Sequence, residues 1–196
     1  MGMPHVISFP EAETPDLFRR QVRVMQEQAW PSADAAEAGS LAPVHDAALR
    51  PLSLLLVDND SVLSALDVLF KEIDHAGRSF SAAGLSTVVT PSALRGRGYG
   101  RMLVSHAHRT MPGLGADLGL FTCDRPLQGF YEQGGWQVLP GTVLIGGTPD
   151  EPFPSDLSGF DKVTLGSFFS PAAVEAREAF LDARVLLYSG SIDKLW

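Results

Sequence analysis

Short apolar runs separated by polar turns recur along most of the chain, and this pattern predicts a series of strands. The runs that predict strands are 6–9, 52–57, 62–73, 79–89, 118–123 and 183–188. The run 62–73 is compatible with a helix or a strand, and we assign it to a strand because it closely follows the turn Asp58-Asn59-Asp60. Residues 137–139 and 142–145, on either side of Pro140-Gly141, predict the last hairpin of the sheet.

Apolar residues at helical spacing predict helices between and after these strands. The helical segments are 14–28, 32–41, 98–111 and 171–181. The first opens with Thr14-Pro15, a normal start signal because proline at the beginning of a helix loses no internal hydrogen bond. Residues 43–51 predict a linker. Residues 146–170 are rich in Gly, Pro, Ser and Asp and predict a long connection with little regular structure.

Length and composition predict one soluble globular domain in the cytoplasm. The chain has 196 residues, 45% of them hydrophobic and 19% charged, with a net charge of −8. That charge argues against non-specific nucleic-acid binding, and no segment approaches the ~18 apolar residues that a membrane span needs. The first residues lack a secretory signal pattern. The single cysteine, Cys123, lies in a predicted strand, where we expect a buried, inert thiol.

Candidate chemistry begins at Arg95-Gly96-Arg97-Gly98-Tyr99-Gly100, between the strand that ends near Val89 and the helix that follows. A glycine-rich turn at a helix start presents several backbone N–H groups and the positive end of the helix dipole to an anion. The segment fits neither the G-x-x-x-x-G-K-[ST] nucleotide loop nor the G-x-G-x-x-G dinucleotide fingerprint, because Arg101 stands where the third glycine would be. The sequence therefore predicts a ligand that carries phosphate.

The pattern R-x-x-G-x-G in this loop resembles the acetyl-CoA-binding motif of the GCN5-related N-acetyltransferase (GNAT) family. In that family the loop amides hold the pyrophosphate of CoA, and the preceding strand parts from its neighbour and pairs with the pantetheine arm. The resemblance implies acetyl-CoA as co-substrate, with Val88 and Val89 on the pantetheine. It implies that the pyrophosphate is bound by Arg95, Gly96, Arg97, Gly98, Tyr99, Gly100 and Arg101.

A second motif strengthens this resemblance. Phe130-Tyr131-Glu132 followed by Gly135-Trp136 is similar to the family's F-Y-E-x-x-G-[FW] segment, in the same order and at a similar distance from the loop. The resemblance implies that Tyr131 is the general acid that protonates the departing CoA thiolate. It also implies an α+β fold with a central, mostly antiparallel twisted sheet of about six to seven strands flanked by helices. We expect a single domain over 1–196, with a C-terminal extension at 148–196.

The end of the chain resembles one branch of the family, the aminoglycoside 2'-N-acetyltransferases. Asp193 and Trp196 stand where that branch has an acidic residue and a tryptophan near its substrate. The implied reaction is acetyl transfer to a primary amine of a small cationic acceptor such as an aminoglycoside. Two alternatives stay open, namely another amine (a polyamine or a peptide N-terminus) and a non-catalytic acetyl-CoA-binding module. The oligomeric state also stays open, and a homodimer is one option.

The general base is the point at which the sequence departs from that branch. The strand before the loop reads Gly84-Leu85-Ser86-Thr87-Val88-Val89 and has no carboxylate, although an ammonium acceptor must lose a proton before it attacks a thioester. Ser86 or Thr87 could anchor a water. Glu132, Asp193 and the terminal carboxylate are further candidates. The five histidines are scattered along the chain, so we predict no metal site.

Overall fold

A computed structural model describes residues 3–32 and 40–196. The short helix predicted within 32–41 falls on residues outside this description. The helices are α1 Asp16–Ala29, α2 Tyr99–Thr110, α3 Gln128–Glu132 and α4 Pro171–Glu175. The strands are β1 His5–Pro10, β2 Leu52–Asp58, β3 Ser61–His75, β4 Arg78–Val89, β5 Leu118–Asp124, β6 Gln137–Val138, β7 Val143–Gly147, β8 Pro152–Pro154, β9 Lys162–Phe168 and β10 Arg184–Leu186.

Within the described residues, seven strands form one sheet in the order β1-β2-β3-β4-β5-β9-β6. Neighbouring strands are antiparallel except β4 and β5, which run parallel. Strands β10, β7 and β8 form a second, smaller sheet. The predicted mixed α and β fold with a mostly antiparallel sheet is confirmed, and the ambiguous run 62–73 is strand β3.

Side-chain alternation along β2 explains how helices cover both faces of the large sheet. Leu55 and Val57 lie on one face, where they pack with Met25 of α1. Leu54 and Leu56 lie on the other face and belong to the larger apolar core. That core also contains Leu103, Val104 and Ala107 of α2. Both helices are thereby fixed against the middle of the sheet, on opposite sides of it.

The prediction of a final hairpin over residues 137–145 is wrong. Strand β6 pairs with β9, whereas β7 pairs with β8 and β10 in the second sheet. The prediction of an irregular connection over 146–170 is also wrong, because this segment contains β8 and β9, and β9 lies between β5 and β6. The helix predicted over 171–181 ends at Glu175 and continues as a 3-10 turn, Arg177–Phe180.

Gly166, which resembles a loop residue in the sequence, helps to explain why β9 was missed, and Gly119 of the correctly predicted strand β5 has a similar packing role. A Cβ atom at Gly166 of β9 would lie 2.7 Å from Cδ1 of Leu139, and one at Gly119 of β5 would lie 2.4 Å from the Trp136 ring. These two glycines therefore make room for large side chains that pack across paired strands. The small residues of this region are a packing requirement of a central strand, not a sign of irregular backbone.

Candidate active site

The glycine-rich loop presents the first turn of α2 to an open cavity. Gly96 and Gly98 have left-handed φ values of 76° and 84°, a conformation that favours glycine. Gly98 is the N-cap of α2, and because glycine has no side chain, residue 98 offers no side-chain cap to the first amides of the helix. The backbone N–H groups that follow Gly98 and the positive end of the helix dipole can therefore bind an anion.

Hydrogen bonds fix two of the loop arginines at the rim of this cavity. Arg95 donates from Nε to the Thr90 carbonyl at 3.1 Å, and Arg101 donates to Oε1 of Gln133 at 3.2 Å. Arg97 is exposed. A Cβ atom at Gly100 would lie 3.0 Å from Oγ1 of Thr90, so this glycine allows α2 to approach the end of β4 closely. Positive charge is thus concentrated where the helix amides are open.

Strands β4 and β5 part shortly after they meet. In the described structure they pair only through Ala82 with Leu118 and Ala83 with Gly119, whereas pairing of β4 with β3 continues to Val89. The second edge of β4 is therefore open beyond Gly84. An open strand edge of this kind can bind an extended ligand through main-chain hydrogen bonds.

A β-bulge interrupts β4 just before its end. The register passes from Asp67–Ser86 to Ala65–Val89, so Thr87 and Val88 together oppose Leu66 alone. Thr87 has a left-handed φ of 48°, which is unusual for a β-branched residue and costs on the order of 1–3 kcal/mol. A bulge redirects side chains and amides, and here it does so midway along the open edge of β4.

Tyr131 approaches the same space from the opposite side. It lies on α3, is largely buried, and its ring packs edge-on against Phe121 and Phe130 with centroid distances of 5.1 and 4.9 Å. Burial raises the pKa of Tyr131, and the nearby Cys123 and Asp124 add to the shift. A phenol in this environment stays protonated and can donate a proton to a developing anion.

One cavity of about 940 Å³, here called the loop cavity, contains all the residues that the sequence assigns to acetyl-CoA and the general acid. Its walls include Val88, Val89, Arg95, Gly96, Arg97, Gly98, Tyr99, Gly100, Arg101 and Tyr131. Trp30 at the end of α1 and Phe130 of α3 also line it; sequence reasoning gave Phe130 only as part of the Phe130-Tyr131-Glu132 motif and missed Trp30. A cavity with a basic, amide-rich end and an apolar end can hold a ligand that carries both phosphate and an apolar arm.

A second cavity of about 330 Å³ adjoins the bulge, and we call it the bulge cavity. It is lined by Ser86 and Thr87 of β4, by Val44 and His45, and by residues 192–196. The two residues that the sequence assigns to the acceptor, Asp193 and Trp196, therefore lie together. Glu132, a sequence candidate for the base, is exposed on α3 and accepts a hydrogen bond from Gln128.

A buried imidazole connects the bulge cavity with the interior of the sheet. His45 Nδ1 lies 2.5 Å from Oδ1 of Asp193, and His45 Nε2 lies 3.3 Å from Oδ2 of Asp67 on β3. Burial alone would lower the pKa of His45, but the hydrogen bonds and charges of the two aspartates outweigh it and raise the pKa to about 10. His45 is therefore a cation near neutral pH, shared between two carboxylates.

Asp67 is the centre of this network. It is 4% exposed, and its carboxylate accepts hydrogen bonds from Ser53 Oγ at 2.5 Å and from Thr87 Oγ1 at 2.6 Å. Sequence reasoning missed both Asp67 and His45. A signal for Asp67 was present, since it is a charged residue inside the apolar run Ala65-Leu66-Asp67-Val68-Leu69. His45 had no such signal, because its partners are far away in the sequence.

Comparisons with known proteins identify the family. Residues 7–139 match the family model of the acetyltransferase (GNAT) domain. The protein therefore belongs to the GNAT family, as the loop and the Phe130-Tyr131-Glu132 motif predicted. Its enzyme class is that of an acetyl-CoA-dependent N-acetyltransferase. No curated protein sequence matches the chain significantly.

Solved structures with the same fold are distant in sequence. An acyl-CoA N-acyltransferase from Pseudomonas aeruginosa is 14% identical with a TM-score of 0.56, over 84% of this chain and 99% of its own. A Bacillus subtilis acetyltransferase in complex with CoA is 15% identical (TM-score 0.56), over 86% and 100%. An aminoglycoside 6'-N-acetyltransferase complexed with coenzyme A is 13% identical (TM-score 0.57), over 85% and 98%. These likenesses establish the fold. Among the described residues, no helix is long and apolar enough to cross a bilayer.

Proposed function

We propose that this N-acetyltransferase transfers the acetyl group of acetyl-CoA to a primary amine of a small cationic acceptor such as an aminoglycoside, by direct attack. The observation that carries the proposal is the position of the β4 bulge. Val88 lines the loop cavity, and the preceding residue, Thr87, lines the bulge cavity. A donor held along β4 and an acceptor held beside residues 192–196 would therefore meet at the bulge, as direct transfer requires.

In this proposal, acetyl-CoA binds in the loop cavity. The pyrophosphate accepts hydrogen bonds from the backbone amides and guanidinium groups of residues 95–101. The pantetheine arm pairs with the open edge of β4 near Val88 and Val89. The thioester then faces Thr87, and Tyr131 acts as the general acid that protonates the sulfur as it leaves. The enzyme contributes mainly orientation of the two substrates and stabilisation of charge that develops on the thioester.

The charge around the bulge cavity supports a cationic acceptor. Asp67 and Asp193 share a single imidazolium, so these three side chains together carry a net negative charge. Lys194 also lines this cavity, but its ammonium lies over the Phe153 ring, 5.0 Å from the ring centroid, and not beside the two aspartates. An ammonium group entering beside Asp193 would be attracted by this net negative charge, and because the Asp193 side chain is buried, water screens the attraction less than at an exposed carboxylate.

The proposal is tested by acetyl transfer across three classes of amine. Purified protein is incubated with acetyl-CoA and either tobramycin, spermidine or a short peptide with a free N-terminus, and release of the CoA thiol is followed. We expect turnover with tobramycin to exceed that with the peptide, and mass spectrometry to show addition of one acetyl group. Kanamycin B and kanamycin A, which differ only by an amine or a hydroxyl at the 2' position, are the matched acceptors that report on the amine used.

Binding of acetyl-CoA is measured separately by calorimetry. Micromolar binding without turnover on any of the three amines would contradict the proposed acceptor and favour the non-catalytic acetyl-CoA-binding module instead. Turnover with only spermidine or only the peptide would support acetyl transfer but contradict the aminoglycoside as acceptor. Where turnover occurs, the product identifies which amine class the enzyme accepts.

A further inference from the structure

An acceptor amine that arrives as an ammonium must lose a proton before its nitrogen can attack, and β4 offers no carboxylate for this. The neighbouring strand, β3, offers a carboxylate. Asp67 of β3 lies in register with Ser86 of β4, directly beside the bulge. Its carboxylate is buried beneath the surface of the bulge cavity and reaches that cavity through the Thr87 hydroxyl.

The conformation of Thr87 places its hydroxyl between the cavity and Asp67. Thr87 Oγ1 donates to Asp67 Oδ2 at 2.6 Å, which leaves the oxygen lone pairs available to a donor from the cavity. A hydrogen bond of this length to an ionised carboxylate belongs to the strong class. The left-handed backbone at this residue is the strained feature of the bulge, and such strain clusters where a side chain must hold a functional position.

Hydrogen bonds from neighbouring side chains hold the Asp67 carboxylate in one orientation. The titratable and charged groups around it are His45, Asp193 beyond that imidazole, Glu11, and Arg19 and Arg23 across a small cavity between α1 and β2. The His45 cation lies beside Oδ2 of Asp67, and the Ser53 hydroxyl donates to Oδ1 of Asp67. Asp193 also has both oxygens engaged, by His45 and the Asp46 N–H, but the hydroxyl at the bulge of β4 donates to Asp67 and not to Asp193.

We propose that Thr87 and Asp67 act as the proton acceptor for the amine, with Thr87 touching the substrate and Asp67 acting through it as the positioning residue that holds the proton. This inference rests on the proposed function, since it concerns deprotonation of the same acceptor. In this proposal the carboxylate that accepts the proton lies on β3 and not on β4, and the substrate reaches it through the Thr87 hydroxyl of β4.

The ammonium gives one proton to Thr87 Oγ1 while the Thr87 hydroxyl proton passes to Asp67. The nitrogen lone pair then forms a bond to the thioester carbon, the C–S bond breaks, and the sulfur takes its electron pair and the Tyr131 proton. The second nitrogen proton restores Tyr131, and the proton on Asp67 returns to solvent through Thr87 after the amide leaves. One proton is released per acetyl group transferred.

Three variants separate this role from a structural one, with tobramycin and acetyl-CoA as substrates. T87V removes the hydroxyl but keeps the β-branched shape, T87S keeps the hydroxyl, and S53A removes a hydrogen bond of similar length from the other oxygen of Asp67. We expect T87V to lower kcat about 100-fold near neutral pH, the effect typical of a lost proton acceptor. T87S should retain most of the activity, and S53A should lose less than T87V.

The decisive measurement is the pH profile. The deficit of T87V should shrink as the pH approaches the pKa of the acceptor amine, because the amine then loses its proton to water without help. The variant D67N should show the same convergence, and if it does not fold, T87V and T87S still decide the question. Acetyl-CoA affinity and thermal unfolding of each variant are measured alongside.

The outcomes distinguish two failures. If wild-type protein turns over tobramycin and T87V is slower by the same factor at every pH, or T87S is as slow as T87V, the proton-accepting pair is overturned while the proposed function stands. If wild-type protein binds acetyl-CoA and acetylates no amine, the proposed function falls and the pair falls with it.

Discussion

Trp196 Nε1 donates a hydrogen bond of 2.7 Å to the carbonyl oxygen of Leu120, in the space where β4 and β5 part. The indole also lies against Gly84 of β4, where any Cβ atom would come within 2.3 Å of Nε1. One side chain near the end of the sequence therefore occupies the fork between the two strands and forms part of the bulge cavity. The tryptophan expected from sequence near the acceptor is held by both strands.

We predict that G84A displaces Trp196. The new methyl group would overlap three indole atoms, at 2.3–2.6 Å, so the ring must move and lose its bond to Leu120. Overpacking of this kind costs about 1–3 kcal/mol. Tryptophan fluorescence should shift to longer wavelength, and KM for the acceptor should rise several-fold while acetyl-CoA affinity changes less.

G129A is the matched control for G84A. A Cβ atom at Gly129 of α3 meets nothing within 4 Å, so the same chemical change should alter neither the fluorescence nor KM. Unchanged fluorescence and KM in G84A would show that the indole is not held in the fork.

The Tyr131 phenol is predicted to affect turnover and not binding. Y131F removes only the hydroxyl, and the ring contacts with Phe121 and Phe130 remain available to phenylalanine. Because burial raises the pKa of this phenol, it is protonated throughout the neutral range, and kcat should fall about 100-fold near neutral pH. The Kd of acetyl-CoA, measured by calorimetry, should change by less than about threefold.

Y188F provides the comparison, since it removes a phenol from a tyrosine outside the residues that line the two cavities described above. Its kcat should remain near that of the wild type. An unchanged kcat in Y131F would remove this residue from the chemistry.

The loop prediction is tested by G98V. Gly98 has a φ of 84°, a conformation that valine adopts only with strain, so the loop and the first turn of α2 must rearrange. We expect the Kd of CoA to rise at least about tenfold, which corresponds to about 1.4 kcal/mol. The control is G113V, because a Cβ atom there has open space. Retained CoA affinity in G98V would contradict the assignment of the loop.

The parts of the site that are local in sequence were predictable, and the parts that depend on distant contacts were not. Arg95–Gly100 and Phe130–Glu132 are contiguous, and each carries its chemistry in residue order alone. Asp67, His45 and Asp193 are far apart along the chain and come together only when β3, the segment before β2 and residues 192–196 pack. Asp193 could be named from its place near the end of the chain, but its link to His45 and Asp67 could not be predicted.

The same difference between local and distant contacts explains which strands could be predicted. Strand β3 was predictable because it closely follows a recognisable turn and because the family pattern requires a hairpin there, and it pairs with its sequence neighbours β2 and β4. Strand β9 was not, because its partners β5 and β6 both lie earlier in the chain and its composition is shaped by Leu139, which packs on Gly166. Small residues selected for close packing and small residues selected for flexible turns look alike until the packing partner is known.

The His45 network predicts how stability depends on pH. The folded pKa of His45, about 10, lies above the ordinary value of 6.5 that applies to the unfolded chain. The folded state therefore holds a proton that the unfolded state releases, so the contribution is complete below about pH 6.5 and is lost as the pH rises toward 10. Between about pH 7 and pH 8.5 the free energy of unfolding should fall by up to about 2 kcal/mol, since each unit of pH is worth about 1.4 kcal/mol.

This window isolates His45 from the other perturbed groups. Burial raises the pKa of the Cys123 thiol to about 11, which affects stability only at higher pH, and burial lowers the pKa of His106 and His108, which affects it only at lower pH. Guanidinium unfolding across the window measures the slope, and H45Q, which cannot take up the proton, should abolish it. A wild-type slope equal to that of H45Q would show that the imidazole does not carry its charge between Asp67 and Asp193.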